Sequence, residues 1–160
     1  MTSLLQVLGL RLFVIANPLT GVQTIVVSGF TEANPRAAAA LSVLGASPGT
    51  TTRSTNTGSL ASGGTLTVAL SSALAADLVV HAAGLDSQGA GESGDVSFTE
   101  GETSRTAAKT ETGTQNATIN LGTKIGAGGA TNVGHTAGTK KLTCAVAVKY
   151  SVGGLSMWWV

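Results

Sequence analysis

The feature that most restricts the fold of this chain is a two-residue repeat of apolar side chains in residues 141–150. Leu142, Cys144, Val146, Val148 and Tyr150 occupy every second position there. A period of two is that of a β-strand, whose successive side chains point to opposite faces, whereas a helix needs apolar residues about every 3.6 positions. The segment is therefore predicted to be a strand with one apolar face.

A second segment, residues 65–70, repeats this alternation with Leu66, Val68 and Leu70 on one face. Residues 77–85 and 117–125 are predicted as further strands on weaker patterns. At residues 37–44, four consecutive alanines favour a helix by propensity. The run is short and has no capping box, however, so a strand is predicted there.

Turn-forming residues separate these runs. A hairpin is predicted from residues 4–15 and 22–29, joined by a turn that contains Asn17, Pro18 and Gly21. Residues 46–64, 88–94 and 126–138 are rich in Ser, Thr, Asn and Gly, and are predicted to be loops.

Short strands bounded by turns, with almost no helical periodicity, predict an all-β fold. The expected architecture is an antiparallel β-sandwich of the jelly-roll or immunoglobulin-like type. Residues 1–160 are expected to form a single domain with apolar terminal arms at about residues 1–10 and 155–160. Charged residues are only 11% of the chain, against about 25% in typical domains, so Ser, Thr, Gly and Ala must build much of the surface.

The segment from Arg11 to Val27, RLFVIANPLTGVQTIVV, resembles the hairpin of a family of small β-sandwich modules. Its Asn-Pro-x-x-Gly turn lies between two strands, as in modules of phage virion proteins and of large bacterial surface proteins. Segments 38–45, 65–70, 77–81 and 144–149 follow in the same order, so the resemblance covers about residues 10–150. It implies no catalytic residues. Family members carry strands before this hairpin, which implies that here they are missing or supplied by a neighbouring chain.

Charge and cysteine content exclude several classes of partner. The formal net charge is +1, and the nine basic and eight acidic side chains are spread along the chain. There is no basic stripe that would bind nucleic acid. No run of about 18 uncharged apolar residues predicts a membrane span. Cys144 is the one cysteine, so no intramolecular disulfide forms, and the thiol is expected to be an inert core residue.

The two histidines are predicted to be structural. His81 is expected to be a half-buried strand residue, and His135 a solvated residue of a glycine-rich loop. Asp77 and Asp86 flank the His81 strand, and a Ser-His-Asp trio could be assembled from them by chance in so Ser-rich a chain. No Gly-x-Ser-x-Gly motif supports such a trio. The chain is therefore expected to be no enzyme and to carry no cofactor.

Five acidic residues follow one another closely and raise the alternative of a calcium site. Loop carboxylates are suitable oxygen ligands for Ca²⁺, but the Asp-x-Asp-x-Asp-Gly loop pattern is absent. Solvated loop charges are the favoured interpretation, and no metal is predicted. The residues are Asp86, Glu92, Asp95, Glu100 and Glu102.

The apolar tail is the one predicted partner-binding segment. Aromatic residues make up 4% of the chain, yet Trp158 and Trp159 both lie in the tail. Large aromatic side chains are favoured as interface anchors. The alternative, held equal, is that the tail returns as an edge strand on its own sandwich. The predicted contact residues are Leu155, Met157, Trp158, Trp159 and Val160.

These observations predict a structural virion protein, such as a phage capsid decoration (cement) protein on the outside of the particle. Its partners would be copies of itself, forming a homo-oligomer, or the major capsid or other virion proteins. Binding would bury apolar surface and add strands between neighbours. The alternative is a β-sandwich module of a bacterial cell surface or filament that binds carbohydrate.

Overall fold

A computed structural model describes residues 2–7, 10–14, 24, 26, 36–41, 52–61, 64–73, 77–87, 96–111, 116–126, 128–137 and 142–150. These residues form ten strands and no helix, so the predicted all-β class is confirmed. Within them, no helix is long and apolar enough to span a membrane. The strands are β1 Thr2–Val7, β2 Leu10–Val14, β3 Thr52–Leu60, β4 Gly64–Ala73, β5 Leu78–Ser87, β6 Ser97–Phe98, β7 Thr103–Glu111, β8 Asn116–Ile125, β9 Gly129–Ala137 and β10 Leu142–Tyr150.

Two antiparallel sheets form the sandwich. The larger sheet has the order β3-β10-β5-β8-β7, and the smaller sheet has the order β4-β9-β6. Strands β1 and β2 pair with each other as a separate hairpin, which lies against β3 and β10. The chain passes repeatedly between the two sheets, and one such passage, residues 99–102 between β6 and β7, carries the candidate site.

The core lies between the two sheets. Leu66, Val68 and Leu70 of β4 pack with Val79 of β5 and Val133 of β9. A second cluster contains residues of β5 together with residues that lie at or beside β6, namely Ala83, Leu85, Val96 and Phe98. Full burial of a Val or Leu side chain contributes about 1.5–3 kcal/mol, so these clusters hold the sheets together.

Four predicted strands are confirmed. Residues 65–70 lie in β4, and the inward positions are the predicted ones: Leu66, Val68 and Leu70 are buried. The other three, 77–85, 117–125 and 141–150, correspond to β5, β8 and β10. All four carry the apolar alternation or the β-branched residues that a half-buried sheet selects.

Two of the predicted loops were wrong. Residues 46–64 contain β3, and residues 126–138 contain β9. Strand β3 lies at one edge of its sheet, and Ser, Thr and Asn, instead of large apolar residues, make up most of it. Strand β9 has a buried residue at every second position, namely Thr131, Val133 and His135. Its glycines and its polar residues make this pattern hard to recognise in the sequence.

The predicted amino-terminal hairpin was also wrong in its pairing. Residues 4–15 form parts of both β1 and β2, which pair with each other: Val7 lies opposite Leu10. Thr24 and Val26, the described residues of the predicted return strand, are not in a strand. Residues 37–41 are not in a strand either, and 42–44 lie outside the described residues, as does the predicted turn at 88–94.

Candidate functional site

The most chemically distinctive feature of the interior is a chain of three titratable side chains. His81 lies in the middle of β5 and is completely buried between the sheets. Its register partner in β8 is Gly122. A Cβ at Gly122 would lie 2.7 Å from Cζ of Phe98, so the glycine makes room for the Phe98 ring. That ring lies beside His81, with 5.2 Å between the ring centroids.

Glu102 reaches this histidine from the connection between the sheets. Its Oε1 lies 3.0 Å from Nδ1 of His81 and accepts a hydrogen bond of 2.7 Å from the backbone N–H of Gly134. Its Oε2 accepts from the backbone N–H of Glu100 at 2.9 Å. The side chains of Glu102 and His81 are both 0% exposed. One buried carboxylate thus joins β5, β9 and residues 99–102.

His135 completes the cluster from β9. Its Nδ1 lies 3.3 Å from Nε2 of His81, at the long end of the hydrogen-bond range. The two rings are tilted by 43°. His135 is opposite Leu66 in β4 and Phe98 in β6, so apolar residues flank it on both strands of its sheet. Glu102, His81 and His135 together form the Glu-His-His cluster.

The electrostatics of the cluster keep one member charged and one neutral at neutral pH. Burial raises the pKa of the Glu102 carboxyl, but the hydrogen bonds from His81 and the Gly134 N–H outweigh it, and the pKa lies below its usual value. Burial and the charge of His81 lower the pKa of His135 to about 4, although the Glu102 carboxylate opposes them. A buried imidazole favours its neutral form because the charged form is poorly solvated among apolar side chains.

The proton positions follow from this charge pattern. An ionised Glu102 accepts, so the proton of His81 that faces it is on Nδ1. A neutral His81 then accepts at Nε2 from the Nδ1–H of His135, and a cationic His81 donates there instead.

A carboxylate–imidazole pair can orient a catalytic base. Here, however, the group beyond the imidazole is His135, which is itself 0% exposed, so a substrate would have no access. The cluster joins elements of the fold.

A cleft of about 650 Å³ is lined in part by Glu100 and Gly101 of the connection between β6 and β7. It contains two cationic side chains. Nζ of Lys124 donates to the Glu100 carbonyl at 2.6 Å, and Nε of Arg105 donates to Oγ1 of Thr123 at 2.7 Å. The Lys124 bond joins β8 to the connection between β6 and β7, and the Arg105 bond joins β7 to β8. The lining residues are Leu78, Glu100, Gly101, Thr103, Arg105, Thr123, Lys124, Ile125, Ala130, Thr131 and Asn132.

The sequence-based interpretation of the histidines needs correction. His135 was predicted to be a solvated loop residue, but it lies in β9 and is 0% exposed. His81 is in a strand as predicted, but it is completely rather than half buried. The two histidines are 54 residues apart in sequence, and the stacking of the two sheets that contain β5 and β9 brings them together.

The acidic residues were also misread in part. Glu102 was predicted to be a solvated loop charge, whereas its side chain is buried against His81. Asp77 is 3% exposed, and its carbonyl accepts from the Gly126 N–H. Glu92, Asp95 and the side chain of Asp86 lie outside the described residues. In the part of the chain that the structure describes, no three His, Cys, Asp or Glu residues are arranged to hold a metal ion.

Sequence reasoning missed Glu102 because its irregular connection has no periodicity that shows which way a side chain faces. The adjacent Gly101 was the local signal of a tight turn, since its φ of +83° lies in the region that glycine favours. The predicted tail contacts at Leu155, Met157, Trp158, Trp159 and Val160 lie outside the described residues, as does the side chain of Cys144.

Comparison of the chain with protein-family models, with curated proteins and with solved structures finds no match. The resemblance to small β-sandwich modules therefore stays a prediction.

Proposed function

We propose that this chain is a non-enzymatic structural subunit that binds neighbouring copies of itself through the outward face of its smaller sheet. The observation that carries the proposal is a difference in charge between the sheets. Strands β4, β6 and β9 contain no Asp, Glu, Lys or Arg. Interface centres are depleted in charged residues in the same way.

The outward face of the smaller sheet is built from small, neutral side chains. On β4, every second residue points outward and is exposed: Thr65, Thr67, Ala69 and Ser71. Ala69 pairs with Asn132 of β9, which is also exposed. Short side chains lose little conformational entropy on burial, and no charge has to be removed from water when this face is covered.

The larger sheet has a different surface. Its strand β7 carries exposed Arg105 and Lys109, and the adjacent β8 carries Lys124. Burying such side chains without partners costs several kcal/mol per charge. This sheet is therefore suited to face water while the smaller sheet is covered.

The proposed location is the outside of a virus particle, as a capsid decoration protein. Supporting it are the low charge content and the absence of a basic stripe. The apolar tail, with Trp158 and Trp159, would add anchors on the neighbour. The non-enzymatic part rests on the closed Glu-His-His cluster, whose side chains make their contacts inside the fold.

A matched pair of variants tests the face. Sedimentation velocity over a range of concentrations should show oligomers for the wild-type chain. Ala69→Glu places a charge in the centre of the neutral face and should weaken association about tenfold or more, because the charge must be desolvated. Ala107→Glu, on exposed β7 of the other sheet, should associate as the wild type does. Equal effects of the two variants would reject the assigned face.

A further inference from the structure

We propose that residues 99–102, which connect β6 to β7, form a latch that closes one end of the sandwich at neutral pH and is released in acid. The proposal goes beyond the proposed function and does not depend on it, since it concerns the interior of one chain.

The latch depends on one carboxylate. Strand β6 has only two residues, but β9 continues past it. The Thr99 N–H still donates to the Gly134 carbonyl at 2.9 Å, and the Gly134 N–H donates to Oε1 of Glu102 at 2.7 Å. In a regular antiparallel ladder the Gly134 N–H would donate to the Thr99 carbonyl. The Glu102 carboxylate takes the place of that acceptor.

The latch is closely fitted on its other sides. A Cβ at Gly134 would lie 2.6 Å from Oγ1 of Thr99 and 3.0 Å from Cγ of Glu100, so the connection lies directly on β9. From β8, Lys124 donates to the Glu100 carbonyl at 2.6 Å. From β5, His81 meets the Glu102 carboxylate at 3.0 Å. Three strands thus hold four residues of irregular chain.

The groups that face His135 set the response to acid. Among them are His81 from β5 and Glu102 from the latch, and Lys124 of β8 bonds to the Glu100 carbonyl of the latch. The neighbours of His135 on β4 and β6 are apolar, namely Leu66 and Phe98. A proton on His135 would make both of its ring nitrogens donors beside His81, and a proton on Glu102 would weaken its acceptance from Gly134 and Glu100.

The direction of the effect follows from linkage. Burial lowers the pKa of His135 to about 4. In the open form the imidazole regains water and a pKa near 6.5. The open form therefore binds more protons between about pH 6.5 and 4, and acid favours it over this range. The lowered pKa of Glu102 acts in the same direction at lower pH.

The test is amide hydrogen exchange measured by NMR on the full chain, expressed as protection factors that correct for the intrinsic effect of pH. Between pH 7 and 4.5, the protection of the Thr99 and Gly134 amides should fall by about tenfold or more. Val68 and Val133, which pair in the centre of the smaller sheet, should stay more protected than Thr99 and Gly134 at every pH, because core amides exchange only when the whole chain unfolds. Unchanged protection at Thr99 and Gly134, or equal protection at all four amides, would overturn the proposal.

Two substitutions two residues apart provide the control. Glu102→Gln should lower protection at Gly134 already at pH 7 and leave little further change in acid. Glu100→Gln should keep the wild-type profile, because its backbone groups and not its carboxylate hold the latch. A wild-type profile in Glu102→Gln would contradict the latch. If that variant does not fold, the wild-type pH series alone decides.

Discussion

At the scale of single residues, Glu102 joins three parts of the fold. Its carboxylate accepts hydrogen bonds from His81, Gly134 and Glu100 in a site with no exposed side-chain surface. Hydrogen bonds to a buried charged group contribute about 1.5–3 kcal/mol each, and an unsatisfied partner costs a similar amount. The fold thus depends on a group whose charge is sensitive to pH.

The stability of the whole chain should therefore fall in acid. The folded-state pKa of His135 is about 4, below the usual 6.5. The unfolded chain binds the extra proton, so this contribution is complete above pH 6.5 and is lost as the pH falls toward 4. The shift corresponds to at most roughly 3 kcal/mol of unfolding free energy.

Urea unfolding at a series of pH values measures this effect. The variant His135→Phe keeps a ring but cannot titrate, so its unfolding free energy should vary less between pH 7 and 4.5. A wild-type unfolding free energy that stays constant or rises over this range would show that His135 is not held neutral by burial.

Gly122 provides a steric prediction at the same scale. In Gly122→Ala the new methyl would lie 2.7 Å from Cζ of Phe98, and the ring would have to move away from His81. Overpacking of this kind costs about 1–3 kcal/mol. The loss should be smaller in a Phe98→Leu background, which a double-mutant cycle by thermal unfolding would detect. Additive effects would mean that the two residues do not meet.

At the scale of elements, apolar alternation predicted β4 and β10, and weaker patterns predicted β5 and β8. In β4 the alternation marks one buried face, since Leu66, Val68 and Leu70 are buried while the residues between them are exposed. Apolar alternation missed β3 and β9 for a physical reason. The side chains of β3 are mostly Ser, Thr and Asn, and β9 interleaves glycines with buried Thr131, Val133 and His135. In such strands, pairing with neighbours rather than local pattern stabilises the extended form. No local pattern could place Glu102 beside His81 either, since that contact depends on how the sheets stack.

The edge where β3 meets β4 gives a prediction for these elements. Nδ2 of Asn56 in β3 donates to the Ala69 carbonyl in β4 at 2.7 Å, and so links the two sheets. Asn56→Ala should lower the unfolding free energy by about 0.5–1.5 kcal/mol. Thr55→Ala, at the adjacent exposed position, should stay within about 0.5 kcal/mol. Chemical denaturation of both proteins distinguishes a specific link from a general loss of strand propensity.

At the scale of the whole molecule, the two sheets divide the surface into a neutral side and a charged side. The sequence predicted a low overall charge, but it could not show that the smaller sheet has none, because β4, β6 and β9 are separated along the chain. This segregation supports association through one face, with the predicted tail as a second contact.

Deleting residues 155–160 tests the tail. If Trp158 and Trp159 anchor on a neighbour, the truncated chain should keep its β-rich circular dichroism and lose association, since a hot-spot Trp contributes at least about 2 kcal/mol. A truncated chain that unfolds would place the tail in its own core. A truncated chain that associates normally would exclude the tail from the interface.

The central claim, that the neutral face joins subunits, is tested most directly by electron cryomicroscopy of the assembled protein. We expect the outward side chains of β4, including Thr65, Thr67 and Ala69, to be covered by the neighbouring subunit, while Lys109 of β7 faces solvent. An assembly in which β4 and β9 face solvent and the charged sheet makes the contacts would contradict it.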